Sequence, residues 1–201
     1  MSTMTRIGPT ENGRLMSWED FECGDFDEGY KYELIDGRLF VSSSPNPEAN
    51  RLERWLDGRL CAYSRENLEV INYVSGKTRV FVPGRRKTTC PEPDLAAYRD
   101  YPLETPFRDL RWQDLFPVLV VEVMTGDDYK DMERNVRLYL QVPSIREYWV
   151  IDGRDDPERP TLIQHRRRGK RWIVREHSYG SKFTTRLLPR FSLVIDPRSD
   201  P

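Results

Sequence analysis

With 201 residues, 37% hydrophobic and 32% charged, the chain is long enough for a substantial core and too apolar for disorder. Its 32 basic and 33 acidic side chains nearly cancel, to a net charge of −1, which excludes a globally basic nucleic-acid binder and leaves room only for local basic patches. No stretch approaches the roughly 20 apolar residues of a membrane-spanning helix, and the polar first residues offer no signal-peptide core.

Three cysteines, Cys23, Cys61 and Cys90, match no zinc spacing and suit a reduced, cytoplasmic setting as inert thiols. The only histidines, His165 and His177, lie late in the chain. A Cys/His metal site and a Ser-His-Asp triad therefore lack material, and no Gly-rich phosphate loop is present. The chemistry must come from carboxylates.

Residues 1–16 read as a flexible tail ahead of one domain over 17–196, with a second tail at 197–201. Ser17-Trp18-Glu19-Asp20 resembles a capping box opening a short helix. An acidic loop follows at 24–29. Residues 30–35 and 38–42 read as strands joined by the tight turn Asp36-Gly37, a strong hairpin signal. Asn46 can cap a helix with Pro47 at its first position, and that helix should run to about residue 66. Leu52, Trp55, Leu56, Leu60 and Tyr63 form its apolar stripe.

Residues 69–74 and 78–82 read as strands, then 83–87 as a basic loop containing Arg85, Arg86 and Lys87. A strand begins at Asp94 and runs over 95–98. After a long connection over 99–116, the Val- and Leu-rich run 116–124 reads as a strand buried on both faces. A helix over 126–141 and a strand over 147–152 follow. Hairpins are expected at 161–165, 171–177 and 190–196. This order indicates an α/β domain with a mixed central sheet flanked by helices and with additional β-hairpins.

Two acids stand out. Glu122 lies inside the buried run, and Asp94 opens its own strand. A carboxylate in an apolar strand is costly unless paired, hydrogen-bonded or bound to a metal. If the two strands are neighbours, the acids can converge on a divalent cation, which activates water and stabilises charge on a phosphodiester. The competing readings are an ion pair with an arginine for Glu122 and a strand-start aspartate after Pro93 for Asp94.

Pro93-Asp94, with Glu122 28 positions later, resembles the PD-(D/E)xK nuclease superfamily. More narrowly, the chain is similar to a small stand-alone bacterial family of restriction endonucleases. The likeness extends to Tyr32-Glu33-Leu34-Ile35-Asp36-Gly37-Arg38-Leu39, Ser44-Pro45-Asn46-Pro47-Glu48, Val120-Val121-Glu122-Val123 and Glu147-Tyr148-Trp149-Val150-Ile151-Asp152. It covers roughly residues 17–195. The resemblance implies a restriction-endonuclease-like fold, a DNA substrate, a homodimer, and Mg²⁺ or Mn²⁺ held by Glu33, Asp94 and Glu122. Glu33 enters through the resemblance alone.

The chain departs from the pattern at the lysine that polarises the attacking water. Met124 stands two residues after Glu122, and Asn135 stands in the helix four residues before Tyr139, the two usual places. On a regular helix of 100° per residue, Met132, Val136, Tyr139 and Leu140 define the buried face. Asn135, Asp128 and Asp131 lie at its edge, and Lys130, Arg134 and Arg137 point away. Lys77 and Arg79 are substitutes from elsewhere. Asn135 can orient a water but carries no charge. The expectation is therefore a metal-dependent endonuclease with Asp94, Glu122, Glu33 and Asn135 at its site, weak or inactive for want of the lysine. The alternative is a degenerate nuclease fold serving as a non-catalytic nucleic-acid-binding or structural protein. The basic run His165 to Arg171 reads as a charged hairpin tip around Gly169 rather than a phosphate contact.

Overall fold

The computed structural model describes residues 6–126 and 129–199, the side chains of 129–132 excepted. Ten strands and three α-helices form the described architecture. Helix α1 (Trp18–Glu22) starts at Ser17, whose hydroxyl accepts from the Asp20 amide at 3.0 Å. Strands β1 (Tyr30–Ile35) and β2 (Arg38–Ser43) make the hairpin. Asp36 and Gly37 both have positive φ, 51° and 69°, as a two-residue turn matched to strand twist requires. Helix α2 spans Pro47–Glu66, and the Asn46 side chain caps it by accepting from the Ala49 amide at 2.8 Å.

A six-stranded sheet runs in the order β3 (Tyr73–Gly76), β4 (Leu95–Tyr98), β5 (Leu119–Met124), β6 (Glu147–Asp152), β7 (Thr161–Arg168) and β8 (Arg171–His177). Only β5 and β6 pair in parallel, and helix α3 (Tyr129–Leu140) lies in the connection between them. A short pair, β9 (Lys182–Thr184) with β10 (Ser192–Val194), stands apart from the sheet.

The pleat sorts the core into two layers. Leu95, Ala97, Leu119 and Val121 face α2 and pack with Leu52, Trp55, Leu56 and Leu60. Ala96, Tyr98, Val120 and Met124 face the other way, toward Leu138 and Tyr139 of α3. Each such leucine, fully buried, contributes about 1.5–3 kcal/mol. A third cluster gathers the hairpin's outer face, with Tyr32, Leu34 and Leu39 against Ile7, Met16 and Phe21.

Three expectations change. Residues 6–16, read as part of a flexible tail, pack on the hairpin: Ile7 and Met16 are buried, and the Met16 amide donates to the Gly37 carbonyl at 2.9 Å. The first edge strand comes later than residue 69, at Tyr73–Gly76. Residues 78–82 form no strand of the sheet. Val80 and Val82 donate to the carbonyls of Pro91 and Thr89, but Pro91 and Pro93 have no N–H to return. The reading made for Asp128 lies outside the described residues, and those made for Lys130, Asp131 and Met132 fall on side chains that are not described.

Candidate active site

Pairing of β4 with β5 in antiparallel register sets Leu95 opposite Val121. One residue further along, the same register brings Asp94 opposite Glu122. By strand alternation both acids share the α3 face with Ala96, Val120 and Met124. Two like charges directly opposite across strands repel, so the pair needs a cation between its members.

Lys31 supplies it. Its ammonium stands 3.1 Å from Asp94 Oδ1 and 3.8 Å from Glu122 Oε2. Lys31 arrives from β1, two residues before Glu33, so both project from one face of the hairpin. Burial by itself would lower the Lys31 pKa, but the carboxylates of Glu122, Asp94 and Glu33 outweigh it and hold the ammonium charged.

The oxygens of Glu122 have separate duties. Oε1 accepts from Asn135 Nδ2 at 2.9 Å and from the Tyr139 hydroxyl at 2.8 Å, both on α3. Oε2 is left toward Lys31. Burial raises the Glu122 pKa, and Asp94 and Glu33 add to the rise against the opposing Lys31. Asp94 is anchored likewise: Oδ2 accepts from the Val123 amide at 2.7 Å, which leaves Oδ1 to Lys31. A neighbouring acid, Glu53 on α2, has its pKa pushed up to about 6, first by burial and then by Asp94. Lys31, Asp94, Glu122, Asn135 and Glu53 line one cleft of about 320 Å³ together with Arg134 and the segment 42–46.

Glu33 is placed differently from the other two. Its Oε1 accepts from the Glu92 amide at 2.9 Å and its Oε2 from Arg134 at 2.6 Å. Among the described residues no group of three His, Cys, Asp or Glu side chains is disposed to hold a metal ion. Glu33, Asp94 and Glu122 line the same cleft, with Glu33 drawn to Arg134 and the other two to Lys31. The pair of Asp94 and Glu122 still fits a hard divalent ion. Both already converge on one cation, and Mg²⁺ commonly takes one or two carboxylates with waters and phosphate oxygens completing its shell.

Sequence reasoning missed Lys31 and Glu53 and misdirected Arg134. The signal for Lys31 was present in the period of two that puts it beside Glu33. Arg134 was expected to point away from the site. It reaches Glu33 because the hairpin covers the flank of α3, and its guanidinium lies over the Phe40 ring, 5.2 Å from the centroid. A helical wheel drawn against the sheet alone omits that second neighbour. Arg79, a suggested substitute cation, is taken up by Glu92, the Tyr32 carbonyl and the face of Phe21. Lys77 is exposed. Met124 is buried in the core beneath α3 and carries no charge to the site.

Residues 18–196 match the model of the Uma2 family, whose description reads "Putative restriction endonuclease". No curated protein matches the chain. Among solved structures, the crystal structure of "a putative nuclease belonging to DUF820" from Anabaena variabilis ATCC 29413 is similar. It aligns with a TM-score of 0.65 at 13% identity, over 90% of this chain and 95% of that one. A likeness at that identity is one of fold.

Proposed function

The chain belongs to the Uma2 family, and from that premise we propose that it is a metal-dependent endonuclease hydrolysing DNA phosphodiester bonds. The observation that carries this reading is the convergence of Asp94 and Glu122 on one cation in an open cleft. A structural ion pair has no need of an accessible cleft, whereas a phosphodiester has to enter one. Mg²⁺ or Mn²⁺ bound by this pair would supply Lewis-acid polarisation of a water and neutralisation of charge on the phosphate.

The chain's own residues do the positioning. Asn135 and Tyr139 fix one oxygen of Glu122, and the Val123 amide fixes one of Asp94, so the remaining two oxygens face the same point. In the reaction the water oxygen bonds to phosphorus and the bond from phosphorus to one nucleoside oxygen breaks. One water proton ends on that oxygen, and the other ionises from the new phosphate end.

The test is cleavage of single- and double-stranded DNA with Mn²⁺, beside Glu122→Ala, together with calorimetry of Mn²⁺ binding in Asp94→Ala. We expect cleavage by the wild type, a loss of at least about 10²-fold in Glu122→Ala by analogy with lost electrostatic groups, and weakened Mn²⁺ binding in Asp94→Ala. Equal cleavage by wild type and Glu122→Ala would sink the reading. The uncharged residues Met124 and Asn135 favour a second reading, a non-catalytic nucleic-acid-binding protein, and DNA retention without cleavage would select it. The homodimer and the cytoplasmic setting remain part of the proposal, the latter resting on the free thiols of Cys23, Cys61 and Cys90. Light scattering of the purified chain tests the former.

A further inference from the structure

We propose that Lys31, on the entry hairpin, is the catalytic cation of this site and takes the part that the motif lysine plays from β5 or α3. The inference rests on the nuclease reading and deepens it.

Three observations lead there. First, the two positions where the sequence pattern expects a lysine supply no charge to the acids. Met124 is 3% exposed and packed in the core beneath α3, and Asn135 is committed through its amide to Glu122 Oε1. Second, Lys31 Nζ lies within ion-pair distance of the free oxygen of each acid, on the side where the cleft opens. Third, the neighbouring cations are occupied otherwise: Arg134 with Glu33 and Asn135, Arg79 with Glu92.

A compact ammonium on a flexible four-carbon stem suits such a role better than a guanidinium fork. With its head at the mouth of the acid pair, it can withdraw by a rotamer change as a divalent ion enters, staying close enough to touch the attacking water and a phosphate oxygen. The charge that the motif keeps on the catalytic strand or the following helix is thus delivered from the hairpin across the cleft. The hairpin is tied in place for this purpose by the Cys90 amide on the Leu34 carbonyl and the Glu92 amide on Glu33.

The experiment compares wild type with Lys31→Gln and Lys31→Met in Mn²⁺-dependent DNA cleavage, Mn²⁺ calorimetry and thermal melting. Lys31→Gln keeps a donor to Asp94 and so protects the fold where Lys31→Met could lose it. We expect cleavage to fall about 10²–10³-fold in Lys31→Gln, the range for a lost transition-state donor, while Mn²⁺ binds as tightly as before or tighter, since a competing cation is gone. Adding Asn135→Lys to Lys31→Gln should recover at least about tenfold of the lost rate, by returning charge to the acid pair. A Lys31→Gln variant that cleaves within about threefold of wild type, a range far below that donor loss, overturns the assignment and leaves the nuclease reading standing. So does a variant that loses Mn²⁺ binding and cleavage together, because Lys31 would then merely hold the acids in place. Absence of cleavage by the wild type sinks the nuclease reading, and the Lys31 assignment with it.

Discussion

Glu122 and Glu147 show how little burial alone says about an acid. Both stand in central strands of the sheet and both are buried. Glu147 is held at both oxygens by neutral donors: Oε2 by Trp149 Nε1 at 2.8 Å and Gln164 Nε2 at 2.9 Å, Oε1 by the Thr185 hydroxyl at 2.6 Å. It fastens β6 to β7 and to the segment after β9, away from the residues that line the cleft. Glu122 has one oxygen held and the other facing a cleft. Sequence patterning singles out Glu122, inside its apolar run, and reads Glu147 only as the start of a strand, because it does not see where each lone pair points. The Tyr139 hydroxyl is one of two donors that impose this asymmetry. Tyr139→Phe should therefore lower stability by about 1–3 kcal/mol, the cost of leaving a buried acceptor short of a donor, as read by urea denaturation. Because Glu122 can then turn, cleavage should drop as well, with Mn²⁺ affinity falling less than in Asp94→Ala.

At the scale of elements, the site depends on helix ends. Asn46 Oδ1 caps α2 and also accepts from the Thr125 hydroxyl at 3.2 Å, so one side chain joins the helix start to the loop that follows β5. Asn46→Ala should cost about 1 kcal/mol, the usual worth of a cap, measurable as a lower urea midpoint with an unchanged slope. The C-terminal end of α3 is held from the sheet. Arg167 donates to the carbonyls of Tyr139, Leu140, Val142 and Ile145, of which the first and third also accept the backbone amides of Val142 and Ile145. Composition presents Arg167 as one member of a basic hairpin run, and the run does turn at Gly169. Its neighbours Arg168 and Lys170 are exposed, whereas Arg167 points inward under Trp172. Arg167→Ala should destabilise by about 2–3 kcal/mol, since it leaves the carbonyls of Leu140 and Ile145 without a donor; thermal melting would show it.

For the whole molecule, the two histidines set an acid limit. His165 is buried, stacked on Tyr148, and its Nδ1 has no hydrogen-bond partner. Burial holds its pKa below the ordinary 6.5, and burial and Arg175 do the same for His177. A depressed histidine stabilises the fold in its neutral form. That contribution is complete above pH 6.5 and is lost as the pH falls from there through the folded-state value. Measured against His165→Phe, which keeps the stack on Tyr148, the wild type should lose melting temperature from pH 7 toward pH 5, while the raised carboxyls of Glu53 and Glu122, which gain stability as the pH falls, act alike in both proteins. A decline of the same slope in the variant would show that the acid sensitivity comes from elsewhere.

Much of this molecule is local and was legible as such. The Asp36-Gly37 hairpin, the capped helix at Pro47–Glu66, the apolar run around Glu122 and the α/β class with a mixed sheet follow from turn chemistry, caps and hydrophobic period, which act over a few residues. The family membership was legible for the same reason, because its motifs are contiguous. The site's partners were not. Lys31 meets Asp94 across 63 positions and Arg134 meets Glu33 across 101, and only the docking of the hairpin onto β4 and α3 brings them together. By itself the sequence determined the acids and the strands that carry them. The tertiary structure decided which cation stands between them, because an ion pair is set by distance in space, on which spacing along the chain is silent.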